Sequence, residues 1–223
     1  RQGDSDEDRT AYGEVVLAAI GRVPNTDADW FRSSGLKLDE RGYVTVDGYG
    51  RTNLDGVWAL GDITPGHALA HRAFEQGITI AEKIAGADPK PVIDDTVPQV
   101  VFSFPEAASV GLTLAQAKAR EDVVEPKETA YPMLSNARML MSGEGGSMTV
   151  VSGAFANNPD MQVVLGVHIV SPIASDLIAE AEQLVGNRVP LADAARLIHP
   201  HPTFSETLGE ALLKADGRPL HTR

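Results

Sequence analysis

The amino-acid sequence predicts an α+β protein whose larger part is an antiparallel sheet followed by helices. Apolar stretches of strand length are grouped in the middle of the chain, at residues 100–104, 108–112, 123–131, 147–157 and 162–170. Helical spacing of apolar residues then appears at residues 174–185, at 191–197 and in a final helix that ends near residue 215. Grouped strands followed by grouped helices indicate an α+β domain.

The region before residue 90 contains fewer and more scattered elements. Glu14–Ile20 is continuously apolar and rich in β-branched residues, which predicts a buried strand. Residues 41–47 alternate between apolar and polar, as in a half-exposed strand, and residues 57–62 resemble another buried strand. A helix is predicted from Leu69 to Ala85. The proline-rich, acidic stretch that follows it, residues 87–98, is the candidate linker between domains.

Composition and charge exclude several classes of function. The chain is 43% hydrophobic and 22% charged, with a formal net charge of −12. Such a charge repels phosphate backbones and anionic lipid surfaces, so nucleic acids and membranes are not expected as partners. No apolar run approaches the roughly 20 residues that span a bilayer, and no secretory signal is visible, which favours a cytoplasmic location.

The start of the sequence and its lack of cysteine suggest a fragment. The chain does not begin with Met, and residues 1–14 read as a polar hairpin tip that leads into an apolar strand. There is no cysteine, which excludes thiolate metal sites and cysteine nucleophiles within the chain itself. We therefore expect a longer protein of which this chain is one part.

Two groups of polar residues in the first half could serve a site. Asp62 ends the apolar stretch 57–62 directly after Gly61. An acid at the end of a strand can accept from a sugar hydroxyl, but from these two residues alone a turn or helix-cap aspartate is the favoured interpretation. His67 and His71 are four residues apart, as zinc ligands can be. No third histidine or carboxylate lies at a spacing typical of zinc sites. The favoured interpretation is that His67 and His71 are partly buried histidines, and no metal is expected.

The stretch HPHPTFSE, residues 199–206, allows more than one interpretation. Thr203 and Glu206 fit a capping box at the start of the last helix, which requires no chemistry. His201 is left unexplained by a cap. A neutral imidazole that a carboxylate orients is a general base, and the nearby helix N-terminus disfavours its charged form. The neighbouring sequence contains no recognisable nucleophile that His201 could activate.

Four stretches in order resemble the flavoprotein disulfide reductases: AIGRVPNT, TNLDGVWALGD, LAHRAFEQG and HPHPTFSE. The resemblance covers essentially the whole chain. It implies that residues 1–25 are the tail of an NAD-binding domain, 26–96 the C-terminal piece of an FAD-binding domain with its linker, and 97–223 a dimerisation domain. The two N-terminal parts would be incomplete pieces of α/β domains. The redox cysteine pair would lie before Arg1.

The resemblance also implies roles for individual residues. Asp62 matches the aspartate that binds the ribityl chain of FAD, and Gly21 matches a glycine beside NAD. The segment whose backbone faces the flavin ring matches Ala68, Leu69, Ala70 and His71. His201 matches the catalytic base, which reaches the cysteine pair of the other subunit of a homodimer. Glu206 matches the carboxylate that orients this base.

Within the family, LAHRAFEQG and the H-x-H-P-T-x-S-E spacing are most similar to dihydrolipoyl dehydrogenases. Glutathione-, mycothione- and mercuric-reductase-like members are the alternatives, and a dimerisation module without catalysis is an alternative of another class. The resemblance implies FAD and NAD in the full-length enzyme, and 2-oxoacid dehydrogenase complexes as possible partners. The fragment alone is expected to lack FAD and activity.

Overall fold

The computed structural model describes residue 10 and residues 12–222. Within this part of the chain lies one antiparallel five-stranded sheet with the spatial order β1-β2-β5-β4-β3. Its strands are β1 Gln99–Val101, β2 Glu106–Gly111, β3 Val123–Pro132, β4 Ser147–Phe155 and β5 Asn158–Ser171. The predicted α+β fold with an antiparallel sheet is confirmed, with some shift of the strand ends.

The helices of the described residues are α1 Asp29–Ser33, α2 Ala70–Ile84, α3 Leu114–Ala119, α4 Ala137–Ser142, α5 Ala174–Gly186, α6 Leu191–Ala194 and α7 Glu206–Ala215. The predicted helices at 69–85 and 174–185 are confirmed as α2 and α5, whereas the helix predicted at 191–197 already ends at Ala194. None of the described helices is long and apolar enough to cross a membrane.

The two faces of the sheet bury separate apolar clusters. Val150 of β4 and Val167 of β5 face α5 and α7 in the larger cluster, whereas Val151 belongs to a smaller cluster with Ala117 of α3. Adjacent residues of a strand point to opposite faces, so the continuous apolar run of β4 fills both clusters. The larger cluster holds α7 against the sheet.

The buried strand predicted at Glu14–Ile20 is wrong. The segment has no strand structure, and the side chains of Val15, Leu17 and Ile20 are 86%, 89% and 96% exposed. A strand needs a neighbour to bond its backbone N–H and C=O groups, and no described strand pairs with this segment. The apolar pattern is therefore present without the sheet that would bury it.

Two further predicted strands, at residues 41–47 and 57–62, form only isolated bridges. Val44 and Ala59 are buried in a small cluster of their own, as a buried strand would require. Leu60 of the second segment, however, is 39% exposed, so this segment is not buried throughout. A bridge joins single residue pairs, and no ladder forms that would extend either segment into a regular strand.

Helix α2 is attached to the linker that precedes the sheet. The guanidinium of Arg72, with a side chain only 6% exposed, lies 2.6 Å from the Asp94 carboxylate. The ring Nε2 of His71 lies 2.7 Å from the carbonyl oxygen of Pro98. Residues 87–98 contain no strand, as predicted for a linker, but these contacts fix them to α2.

Candidate active site

The segment that joins α6 to α7 carries His201 and Thr203, and α7 begins at Glu206. Leu208 and Leu212, on successive turns of α7, are only 1% and 0% exposed. Burying a leucine side chain stabilises the fold by about 1.5–3 kcal/mol. The first turn of α7, and with it Glu206, is therefore held firmly against the sheet.

His201 and Glu206 form an imidazole–carboxylate pair. Nδ1 of His201 lies 2.9 Å from Oε1 of Glu206. Because an ionised carboxylate can only accept, Nδ1 carries the proton and Nε2 keeps its lone pair. The His201 side chain is 70% exposed, whereas that of Glu206 is 21% exposed. The arrangement leaves an accessible basic nitrogen on a ring whose orientation is fixed by its other nitrogen.

The predicted capping box is only half formed. Oε2 of Glu206 accepts a hydrogen bond from the backbone N–H of Thr203 at 2.7 Å, as the acid of a capping box does. The Thr203 hydroxyl, however, donates to the carbonyl oxygen of Pro200. The N-cap residue of α7 is Ser205, whose side chain makes no capping bond. One carboxylate thus holds both the backbone of the loop and the imidazole.

The surroundings of Glu206 favour its ionised form. Burial raises the pKa of this carboxyl, but hydrogen bonds from the Thr203 N–H and from His201, together with nearby histidine charge, outweigh burial and place the pKa below its ordinary value. The carboxylate is therefore negative at neutral pH. It can stabilise the imidazolium that forms whenever His201 takes up a proton.

His199 forms a second histidine–carboxylate pair that the sequence did not reveal. Its Nε2 lies 2.8 Å from Oε1 of Glu180 in α5, and its side chain is 9% exposed. This hydrogen bond raises the pKa of His199, against the opposing effect of burial. The ring also packs on α7, where a Cβ on Gly209 would come within 2.6 Å of Nδ1. Glu180 is unremarkable in sequence, inside a helix and distant from the HPHPTFSE stretch.

Asp62 and the start of α2 form a separate group of polar atoms. Asp62 lies in the short turn Gly61–Ile63, with a side chain that is 62% exposed and a 3.9 Å ion pair to Arg22. The turn is tied to α2 because the N–H of Gly61 donates to Oε1 of Gln76 at 2.9 Å. Among the residues that the structure describes, no side chain caps α2, so the first N–H groups of this helix can donate to another acceptor. The residues at this helix start, Ala68, Leu69, Ala70 and His71, are exposed or half-buried.

The remaining candidate residues do not join either group. Gly21 is exposed, with a φ of +127°, and a Cβ built there would meet no described atom within 4 Å. His67 lies 3.2 Å from the side-chain amide nitrogen of Gln99, so it and His71 have separate polar partners. Among the described residues, no cluster of three or more metal-ligating side chains occurs.

Two family comparisons cover most of the chain. Residues 97–212 match the dimerisation domain of the pyridine nucleotide-disulphide oxidoreductases. Residues 3–77 match the pyridine nucleotide-disulphide oxidoreductase domain. The chain therefore belongs to the pyridine nucleotide-disulphide oxidoreductase family, as the four sequence motifs predicted.

Among curated relatives, the chain is similar to several dihydrolipoyl dehydrogenases. It is 41% identical over 215 residues to that of Cupriavidus necator, which covers 96% of this chain and 44% of the relative. It is 39% identical over 217 residues to that of Geobacillus stearothermophilus, with the same coverage of 96% and 44%. The chain thus spans less than half the length of these relatives.

Solved structures show the same architecture. LpdA from Mycobacterium tuberculosis superposes with a TM-score of 0.78 at 31% identity, over 88% of this chain and 42% of that one. The HOCl-induced flavoprotein disulfide reductase RclA from Escherichia coli superposes with a TM-score of 0.74 at 24% identity, over 87% and 43%. The latter similarity shows the fold alone.

Proposed function

We propose that this chain is the C-terminal part of a dihydrolipoyl dehydrogenase, which reoxidises dihydrolipoamide with NAD⁺ through FAD. The observation that carries the proposal is the His201–Glu206 pair on the dimerisation domain, with its basic nitrogen exposed. The similarity to dihydrolipoyl dehydrogenases supports this substrate over the disulfides of other family members. Residues 1–25, 26–96 and 97–223 would be the pieces of the NAD-binding, FAD-binding and dimerisation domains.

In the proposed reaction, His201 is the general base. Its Nε2 takes the proton from one thiol of dihydrolipoamide, and the resulting thiolate attacks one sulfur of the enzyme disulfide. The disulfide bond breaks, and the other cysteine sulfur leaves as a thiolate. The second substrate thiol then attacks the substrate sulfur of the mixed disulfide. The bond between that sulfur and the cysteine breaks, the departing cysteine sulfur takes up the proton of the second thiol, and lipoamide is released. Glu206, 2.9 Å from Nδ1, stabilises the imidazolium, and general-base catalysis of this kind contributes about 10²–10⁴ in rate.

The disulfide in this reaction would come from a second subunit. The chain itself contains no cysteine. His201 has a side chain that is 70% exposed, so it can contact a group supplied by another polypeptide. Phe102 and Phe104, between β1 and β2, are 79% and 86% exposed, and exposed aromatic side chains of this kind are typical of interfaces. We therefore propose a homodimer that brings each His201 to its partner's disulfide.

The residues around the start of α2 fit the flavin that this function needs. The exposed Asp62 carboxylate can accept hydrogen bonds from ribityl hydroxyls. The uncapped N-terminus of α2 can donate N–H groups to a flavin carbonyl and favours negative charge there. When bound, FAD would carry two electrons from the reduced cysteine pair to NAD⁺. Gly21 is proposed to lie beside NAD⁺ on the resemblance of its motif alone.

The test uses the full-length polypeptide that contains residues 1–223. We expect it to reduce NAD⁺ with dihydrolipoamide much faster than it reduces glutathione disulfide with NADPH. Preferred turnover of glutathione disulfide would place the protein elsewhere in the family. Association with 2-oxoacid dehydrogenase components, whose reaction generates dihydrolipoamide, can be examined on the same preparation.

A second experiment addresses the 223-residue chain itself, for which a dimerisation module without catalysis is the alternative. The absence of cysteine favours inactivity of the chain alone. We expect no oxidation of dihydrolipoamide by the isolated chain. We also expect no yellow colour from bound flavin, because the chain spans less than half the length of the dihydrolipoyl dehydrogenases to which it is similar. Turnover by the isolated chain would show that the chemistry does not need the cysteine pair.

A further inference from the structure

The backbone of Thr203 is held from both sides. Its N–H donates to Oε2 of Glu206 at 2.7 Å. Its carbonyl oxygen accepts from Nδ2 of Asn136 at 3.1 Å. Asn136 is distant in sequence and is only 5% exposed. Thr203 is also close in sequence to His201, so a buried side chain from another part of the fold fixes the segment that carries the imidazole.

The orientation of the Asn136 amide is determined by its other contact. Asn136 is the N-cap of α4, and its Oδ1 accepts from the backbone N–H of Met139 at 3.0 Å. A flipped amide would place its NH₂ against the Met139 N–H and its oxygen against the Thr203 carbonyl. Both contacts would then be repulsive. The side-chain oxygen of Asn136 therefore caps α4, and the side-chain nitrogen donates to the loop that carries His201.

We infer that Asn136 is a positioning residue for His201, acting through the peptide of Thr203 and the carboxylate of Glu206. This inference rests on the proposed function of His201. Glu206 uses one oxygen for the Thr203 N–H and the other for the imidazole. A shift of the Thr203 peptide therefore pulls on the same carboxylate that orients the ring. Without the Asn136 donor, the part-buried carbonyl of Thr203 has no hydrogen-bond partner. We expect the loop to shift so that this oxygen can accept a hydrogen bond from another donor.

Substitution can separate the two contacts of Asn136, the cap of α4 and the hydrogen bond to Thr203. Asn136→Asp and Asn136→Ser both keep an oxygen that can cap α4, because Asp and Ser are favoured N-cap residues. Both remove the N–H donor to Thr203. Asp adds a negative charge and Ser does not, so an effect shared by the two variants is due to the lost donor. Asn187→Asp is the matched control, since the exposed Asn187 also donates to a backbone carbonyl, that of Gln183 at 2.8 Å.

In the full-length protein, we expect both Asn136 variants to lower kcat for dihydrolipoamide by about 10- to 100-fold, as small misplacements of a catalytic group do. Reduction of a dye by NADH should be unchanged, because that reaction needs no proton removal by His201. The melting temperature should fall only slightly in Asn136→Ser, because the cap of α4 is kept and a single hydrogen bond is lost. The Asn187→Asp control should match the wild type in all three measurements.

A readout that does not depend on turnover is the imidazole itself. In the 223-residue chain, NMR should show the hydrogen-bonded Nδ1–H of His201, and both Asn136 variants should shift or broaden it while Asn187→Asp leaves it in place. An unchanged resonance together with wild-type kcat would overturn the inference. So would an equal loss of turnover, dye reduction and melting temperature, which indicates a structural role. Full turnover in His201→Gln would refute the proposed function instead, and the resonance would still decide the role of Asn136.

Discussion

Replacing Glu206 by glutamine tests whether this carboxylate is a cap, an orienting group or both. The wild-type carboxylate offers two acceptors, one to Thr203 N–H at 2.7 Å and one to His201 Nδ1 at 2.9 Å. A glutamine amide has only one oxygen. If that oxygen keeps the Thr203 bond, the NH₂ faces His201 and Nδ1 has to accept. The ring proton then moves to Nε2, which can no longer act as a base.

The expected losses of stability and of rate in Glu206→Gln follow from these two hydrogen bonds. Two charge-assisted hydrogen bonds are exchanged for neutral ones, and the one to the exposed His201 contributes little to stability. We therefore expect Glu206→Gln to lower the free energy of unfolding by about 1–2 kcal/mol. The pKa of Glu206 lies below its ordinary value in the folded protein. Its stabilising effect is therefore present at neutral pH and is lost as pH falls through the folded pKa, below the ordinary value of about 4.3. The rate should fall far more, by about 10²–10⁴, because the base itself is lost.

The assay is dihydrolipoamide-dependent reduction of NAD⁺ by the full-length protein, with urea unfolding of the same variant. Glu121→Gln, at an exposed position, is the matched control and should be unaffected. A Glu206→Gln variant that lost stability but kept wild-type turnover would show that the residue is only a cap.

Three other predictions concern the stability of the 223-residue chain. The Glu180 carboxylate raises the pKa of His199 in the folded protein. The pair therefore stabilises the fold fully below the unfolded-state pKa of about 6.5, and less as pH rises through the folded-state pKa. In urea unfolding, Glu180→Gln should lower the free energy of unfolding more at about pH 5.5 than at about pH 8.5. The Tyr131 hydroxyl is buried without a partner among the described residues, and burial raises the pKa of this group to about 12. Tyr131→Phe should leave the melting temperature unchanged or raise it, and a fall would reveal a hidden hydrogen bond. Gly111 has a φ of +79°, and an added Cβ would collide with the carbonyl oxygen of Leu165. Gly111→Ala should therefore lower the free energy of unfolding by more than about 1 kcal/mol. An unchanged free energy of unfolding would contradict this backbone conformation.

The sheet and the long helices could be predicted because their apolar patterns are local and fit the fold that forms. The continuous apolar run of β4 and the helical spacing in α5 are examples. The strand predicted at Glu14–Ile20 failed for the opposite reason, since an apolar run forms a strand only beside a neighbour. Helix α4 is six residues long, too short for a helical period to be recognised.

The candidate site was predicted only in the part that is local in sequence. His201 and Glu206 are five residues apart, so one stretch contained both. Glu180 and Asn136 hold the same loop from 19 and 67 residues away, measured to His199 and to Thr203. No spacing rule relates such residues, because the folded sheet and helices bring them together. The capping-box and catalytic interpretations of Glu206 were indistinguishable in sequence, since each needs a carboxylate at the same position.

We propose that this chain supplies half of an active site, which a second subunit completes. Mixed dimers test it most directly, pairing a full-length His201→Gln subunit with a subunit whose redox cysteine is replaced. If the base acts across the two-fold axis, the mixed dimer has one intact site and should show about half of the wild-type turnover, although both parents are inactive. Mixed dimers as inactive as their parents would contradict the claim, because that result requires base and disulfide to lie in the same subunit.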